Sequence, residues 1–92
     1  MTERIPRYID RARFEALPSA DRLRAYLLFI GRPTRLRVLQ YVSQAACPIG
    51  VLLGDQRQGW VTRRSDGRYV LTAAGQREFE RRFRGVVMER ES

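Results

Sequence analysis

Three arginines surround a short turn in the second half of the chain, and their side chains could bind an anion. Arg63 and Arg64 precede the tripeptide Ser65-Asp66-Gly67, and Arg68 follows it. A guanidinium group holds five N–H donors in a planar fork and pairs with phosphate through two parallel hydrogen bonds. The turn therefore predicts contacts to a phosphate-bearing polyanion. A charged turn that is simply solvated is the alternative.

The residues on both sides of this turn predict a β-hairpin. Gly67 supplies the left-handed conformation that a three-residue hairpin loop requires. This loop sets the register of three strand pairs: Val61 with Leu71, Thr62 with Val70, and Arg63 with Tyr69. It also sets Arg64 opposite Arg68, a like-charged pair that costs a few tenths of a kcal/mol to about 1 kcal/mol. A polyanionic partner would remove that cost, which favours a surface for nucleic-acid phosphates.

A second group of polar side chains lies upstream of the hairpin. Arg32, Arg35 and Arg37 have no acidic neighbour up to Ala46, and they precede or begin a predicted helix. Backbone N–H groups and the helix dipole favour a phosphate there, although a solvated face is again the alternative. Amide and guanidinium groups near the next helix could read base edges. The full candidate nucleic-acid-binding set is Arg32, Arg35, Arg37, Gln44, Arg57, Gln58, Arg63, Arg64 and Arg68.

Composition supports an acidic partner and argues against an enzyme. The 92 residues carry a net charge of +8, and all 18 basic residues are arginine, a bias that a GC-rich genome would also produce. There is no histidine and one cysteine, so neither a structural zinc site nor the usual base of serine-type or cysteine-type catalysis is present. Asp10, Glu15 and Asp21 lie at no metal-binding spacing. We expect no cofactor and no metal.

The same composition predicts a soluble, cytoplasmic protein. The N-terminus has no apolar core of a signal peptide, and the longest apolar run, from Tyr26 to Ile30, is too short for a membrane span. The single thiol, Cys47, suits a reducing compartment and is expected to be a buried small side chain. Ninety-two residues form one domain with a small core. Such a core leaves room for a second copy of the chain to complete it.

Apolar periodicity and helix end signals predict five helices, four of them before the hairpin. A basic arm, residues 1–18, contains a short helix with Ile5 and Ile9 on one stripe. Ser19 caps a helix over residues 20–30 that Gly31 ends. Pro33 lies in the first turn of a helix over residues 33–42. A helix over residues 48–58 starts at Pro48 and turns three apolar residues inward: Ile49, Leu52 and Leu53.

A fifth helix follows the hairpin. Thr72 caps it, and it is expected to run from Ala73 to about Glu89. Phe79 and Phe83 are spaced as part of an apolar stripe that faces either the core or a dimer partner. Trp60, directly before the first strand, is expected to anchor the hairpin against the helices.

Together these elements resemble a winged helix-turn-helix domain. The resemblance is carried by Gly59-Trp60-Val61, the hairpin from Arg63 to Arg68, and the pattern Tyr69-x-Leu71-Thr72-x-x-Gly75, which are similar to the wing and following helix of MarR-like and PadR-like bacterial regulators. It implies a mainly α fold with a small β-hairpin and extra N- and C-terminal helices. Residues 19–76 would form the core, and residues 77–92 a C-terminal helix with a possible dimerisation role.

The resemblance implies a small transcriptional regulator that binds double-stranded DNA as a homodimer, with residues 48–58 as the recognition helix. The predicted outward positions of that helix include Gly50, Gly54 and Asp55. Each glycine costs about 1 kcal/mol of helix stability relative to alanine, and phosphate repels the carboxylate. The alternative is therefore a winged-helix module that binds another protein and no longer reads DNA sequence.

Overall fold

A computed structural model describes residues 7–89 of the chain. Nine elements follow one another: β1 (Arg7–Ile9), α1 (Arg11–Ala16), α2 (Ser19–Ile30), α3 (Leu36–Ser43), α4 (Pro48–Arg57), β2 (Val61–Arg63), β3 (Tyr69–Leu71), α5 (Ala73–Arg82) and β4 (Val87–Glu89). The strands form two antiparallel pairs, β1 with β4 and β2 with β3. The predicted class, mainly α with a small β-hairpin, is confirmed.

Helix α2 is the centre of the fold because it buries side chains on two sides. Leu23 and Leu27 belong to a first core cluster, which also contains Leu39, Leu52, Val61 and Tyr69. Ala25 and Leu28 belong to a second core cluster, which also contains Phe79, Phe83 and Val86. The spacing of Leu23, Tyr26, Leu27 and Ile30 in the sequence predicts one apolar stripe, which faces the first cluster, and gives no sign of the second. The second cluster buries Phe79 and Phe83 within the chain itself, so their stripe is core.

The ends of α2 differ slightly from expectation. Gly31 ends the helix with a φ of 61°, as predicted. Ser19 is the first helical residue and not the cap, because the Pro18 carbonyl already accepts the first helical hydrogen bond, from Arg22 N–H at 2.9 Å.

Helix α3 begins at Leu36, three residues later than predicted. The reason is that Thr34 is extended: its N–H donates to Tyr69 O at 2.9 Å, and Tyr69 N–H donates to Thr34 O at 2.8 Å. This isolated antiparallel bridge holds the segment before α3 against strand β3. The prediction that Pro33 lies in the first turn of the helix is wrong, because that segment forms the bridge instead.

Helix α4 begins at Pro48 and buries Leu52, as predicted, but the rest of its buried face was assigned wrongly. Leu52 and Asp55 are buried, whereas Ile49 and Leu53 are 50% and 47% exposed. The rotation follows from Asp55, whose carboxylate accepts from Arg24 Nε at 2.9 Å and from Arg24 Nη2 at 3.1 Å. An ion pair to α2 therefore turns this acidic residue inward. The expectation of a buried Cys47 is also wrong, because that thiol is exposed.

Both terminal segments contain strands where helix was predicted. Residues Arg7 to Ile9 pair antiparallel with Glu89 to Val87. Helix α5 ends at Arg82, and Gly85 then adopts a φ of 88°, which reverses the chain toward β4. The β-branched residues that follow favour an extended conformation once a partner strand is present. Of the predicted N-terminal helix only α1 forms, after an Asp10 cap, and Ile5 lies outside the described residues.

Candidate nucleic-acid interface

The hairpin of β2 and β3 has the predicted register. Val61 pairs with Leu71, Thr62 with Val70, and Arg63 with Tyr69. Its loop closes through Arg64 N–H to Arg68 O at 2.7 Å and Gly67 N–H to Arg64 O at 2.9 Å. Gly67 has a φ of 85°, the conformation for which glycine was predicted. Local turn chemistry therefore fixes this element, and Arg64 lies across from Arg68 as expected.

Asp66 is a member of this surface that the sequence reasoning missed. Its carboxylate accepts from Arg68 N–H at 3.0 Å and from Arg68 Nη1 at 3.3 Å. The backbone hydrogen bond from Arg68, together with the neighbouring guanidinium charges, holds the pKa of Asp66 below its ordinary value. Asp66 therefore balances part of the repulsion between Arg64 and Arg68. The signal was available, because aspartate in turns commonly bonds the N–H two residues on.

The bridge between Thr34 and Tyr69 joins the hairpin to the start of α3. Tyr69 pairs with Arg63 on one side and with Thr34 on the other. In an antiparallel arrangement the residue after Thr34 runs past the residue before Tyr69. Arg35 and Arg68 are therefore neighbours across the bridge. The structure brings the two groups of arginines together through the backbone, which the sequence did not predict.

The upstream arginines are exposed but do not all lie on the helix. Arg37 is in the first turn of α3, and Arg35 is the N-cap residue of that helix. Arg32 lies four residues before the first residue of α3. Only Arg35 and Arg37 are thus placed where the first free N–H groups of α3 could support a bound phosphate.

The three remaining candidates lie at helix ends. Arg57 is the last residue of α4 and is exposed, and Gln58 is its C-cap residue. Arg57 follows Ile49 and Leu53 at four-residue spacing, so the three share the outward stripe of α4. Gln44 is the C-cap residue of α3, with a φ of 55°, and lines a groove formed with β1, α1 and α2. Gln44 therefore lines this groove and is not part of the surface around the hairpin.

Most of the candidate arginines have no carboxylate partner. Within residues 7–89 the ion pairs involve Arg7, Arg11, Arg13, Arg24, Arg68, Arg81 and Arg82. Six candidates form none in that range: Arg32, Arg35, Arg37, Arg57, Arg63 and Arg64. Outside the candidate set, Arg22, Arg77 and Arg84 share this property. The segment from 32 to 64 therefore presents uncompensated positive charge to solvent, apart from the inward-facing Asp55.

The base of the hairpin is held rigidly by Trp60, as predicted. The backbone N–H of Trp60 donates to Asp55 O at 3.0 Å, and the backbone carbonyl of Trp60 accepts from Thr72 N–H at 2.9 Å. The indole packs edge-on against Phe79 with the ring centres 5.7 Å apart, and the Arg82 guanidinium lies 5.0 Å above it. Helix α5 approaches so closely that a β-carbon at Gly75 would overlap the Trp60 carbonyl. Trp60 therefore fixes the hairpin to both α4 and α5.

Other kinds of site receive no support from the part of the chain that the structure describes. Residues 7–89 contain no group of three or more histidine, cysteine, aspartate or glutamate side chains that could hold a metal ion. In the same range no single helix is long and apolar enough to cross a membrane. The adjacent helices α3 and α4 reach the required length and composition only as a pair bent by 111°.

Comparison with protein-family models, with curated proteins and with solved structures finds no match to this chain.

Proposed function

We propose that this protein binds double-stranded DNA, contacting backbone phosphates with the hairpin and the start of α3, and that it acts as a small winged-helix transcriptional regulator. The observation that carries the proposal is the exposed hairpin tip with Arg63 and Arg64, joined by the Thr34–Tyr69 bridge to the start of α3. Phosphate contacts of this kind position a protein on the duplex independently of sequence.

The order of elements supports the winged-helix part of the proposal. Helices α2, α3 and α4 pack around the first core cluster, and the β2–β3 hairpin follows α4 directly. In this arrangement α4 takes the place of the recognition helix. An outward-facing Asp55 on this helix would repel DNA phosphates. The carboxylate is instead buried and paired with Arg24, so that repulsion does not arise.

The outward stripe of α4 sets the expected specificity. Ile49 and Leu53 are half-exposed and carry no hydrogen-bonding groups, so the base feature they match is the 5-methyl group of thymine. We expect a preference for thymine-containing duplex without a strongly defined sequence. Replacing thymine by uracil removes the methyl groups and leaves the phosphates unchanged, so it tests this expectation separately.

A salt titration tests the DNA-binding proposal. If about six arginines contact phosphate, log K plotted against log salt should fall with a slope of about −5. The measurement is a mobility shift of the full chain on random-sequence duplex at several salt concentrations. A well-defined complex with that slope supports the proposal, and the absence of any shift at low salt overturns it.

A second candidate function has its own observation. Besides Ile49 and Leu53 on α4, helix α3 exposes Tyr41 (84%) and Val38 (36%). Exposed apolar side chains on two successive helices are the kind of surface that another protein covers, including a second copy of this chain. Sedimentation of the chain and of an Ile49→Ser/Leu53→Ser variant distinguishes the cases. A dimer lost in the variant, with no binding to DNA, would favour protein interaction.

A further inference from the structure

A groove on another part of the molecule has the composition of a small-molecule site. It encloses about 780 Å³ and lies between β1, α1, α2 and the end of α3. Four aromatic side chains line it: Tyr8, Phe14, Tyr26 and Phe29. Small-molecule sites are commonly concave, of a few hundred to about 1,000 Å³, and apolar with a few fixed polar groups. We propose that this groove binds a small organic carboxylate whose body is apolar.

Arg22 is the group that selects a carboxylate. It lines the groove and is half-buried. Its Nε donates to Ser43 O at 3.0 Å, and its Nη1 donates to Leu17 O at 2.6 Å. Two carbonyls, one directly after α1 and one at the end of α3, therefore fix the orientation of the guanidinium. Within residues 7–89 its Nη2 has no hydrogen-bond partner, and the side chain has no ion pair.

Arg22 is only half-buried and has no carboxylate partner among the described residues, so its positive charge is accessible to an anion that enters the groove. A ligand carboxylate could accept a hydrogen bond from Nη2 of Arg22 and supply the negative counter-charge. Such a hydrogen bond is strong because donor and acceptor are both ionised. The geometry leaves that nitrogen as the donor available to a ligand.

The other charged groups of the groove indicate a single negative charge on the ligand. Arg7 donates to Leu28 O at 2.8 Å and pairs with Glu80 at 3.4 Å and Glu89 at 3.9 Å. Arg11 lies 3.9 Å from Glu15, the one acidic residue among the lining side chains. Both arginines already have carboxylate partners, whereas Arg22 has none among the described residues. One unmatched positive charge fits a monoanion better than a phosphate dianion.

The walls account for the apolar body of the ligand. The rings of Tyr26 and Phe29 lie 6.1 Å apart and are inclined by 45°. Phe14 lines the same groove and packs at the edge of the second core cluster. Aromatic faces of this kind bind aryl or alkyl groups through dispersion and burial of apolar area. The inference does not depend on DNA binding, because none of its contacts involves the hairpin.

Calorimetric titration of the full chain tests the proposal with defined probes. The charged probes are 2-naphthoate and decanoate, and 2-naphthamide is the neutral analogue of the first. We expect saturable binding of at least one carboxylate and at least tenfold weaker binding of the amide. Binding of the amide as tight as that of 2-naphthoate, or no saturable binding of either carboxylate at millimolar concentration, would overturn the proposal.

Two variants locate the site. Arg22→Gln should abolish the preference for carboxylate over amide. Glu15→Gln removes the acidic side chain from the groove, so it should tighten carboxylate binding two- to fivefold and leave amide binding unchanged. The control is Asp66→Asn, which makes the same charge change at the hairpin. It should change neither carboxylate binding nor amide binding. If Arg22→Gln does not fold, the comparison of 2-naphthoate with its amide and the Glu15→Gln variant still test whether the groove binds a carboxylate. A Glu15→Gln variant that binds 2-naphthoate no more tightly than Asp66→Asn contradicts the assignment.

Discussion

Asp55 and Arg24 form a doubly hydrogen-bonded ion pair that ties α4 to α2, with Oδ2 2.9 Å from Nε and Oδ1 3.1 Å from Nη2. Asp55 is 2% exposed, and Nη1 of Arg24 also donates to Asp21 at 2.9 Å. Burial lowers the pKa of Arg24, but the two carboxylates outweigh burial and hold that pKa above its ordinary value. The pair fixes which face of α4 points outward.

Removal of Asp55 alone should destabilise the protein strongly. Asp55→Ala leaves the half-buried Arg24 with only Asp21 as a partner, and breaking such a pair costs about 3–5 kcal/mol. We expect that loss in the free energy of unfolding measured by urea denaturation. The double variant Arg24→Met/Asp55→Leu removes both charges and should recover most of it. A double variant as unstable as Asp55→Ala would contradict the role of the pair.

Two glycines on helices should respond to alanine in opposite directions. Gly75→Ala places a methyl group on the Trp60 carbonyl, so we expect a loss of more than about 1 kcal/mol from overpacking. A β-carbon added at Gly54 would meet no atom within 4 Å, so Gly54→Ala should gain up to about 1 kcal/mol in helix propensity. Thermal unfolding of both variants measures the two effects. Equal shifts would contradict the close approach of α5 to the hairpin.

Acid below pH 3.8 should loosen the hairpin tip. The pKa of Asp66 lies below its ordinary value of 3.8, so its contribution to the folded hairpin is fully present above pH 3.8 and is lost as the pH falls through the lowered pKa. An NMR titration should show the Arg68 amide signal, whose N–H donates to Asp66, moving with that pKa. An apparent pKa at or above 3.8 for Asp66 would contradict this interaction.

Neutralising Asp66 should also strengthen DNA binding. Asp66→Asn keeps an acceptor for the Arg68 N–H but frees the Arg68 guanidinium from its carboxylate. We expect the magnitude of the salt slope to rise by about 1. The matched control is Glu15→Gln, which makes the same charge change on α1 and should leave the slope unchanged. Equal responses of the two variants would show an effect of net charge alone.

The hairpin could be predicted from sequence because its determinants are local. Gly67 supplies the positive φ, and the loop length then fixes every strand pair. The start of α4 at Pro48 and the end of α2 at Gly31 were predictable for the same reason. Each depends on the conformational limits of one residue.

The errors arise where a distant partner overrides a local preference. Residues Arg7 to Ile9 form a strand only because Val87 to Glu89 lie beside them. No pattern in the sequence of either segment indicates that it pairs with the other. The buried face of α4 was misassigned because Asp55 looks like a surface residue until Arg24 is known to face it. In the candidate interface, the hairpin arginines were predictable, whereas their connection to Arg35 depends on the long-range bridge at Thr34.

The most direct test of the account compares DNA binding by two triple variants. Arg63→Ala/Arg64→Ala/Arg68→Ala removes the hairpin charges, and Arg77→Ala/Arg81→Ala/Arg84→Ala removes three exposed arginines outside the candidate set. On random-sequence duplex the first variant should reduce the magnitude of the salt slope by about 2, because Arg68 is already paired with Asp66 in the unaltered chain, while the second should keep the slope of the unaltered chain. A first variant that binds like the unaltered chain, or two variants that lose binding equally, would contradict it.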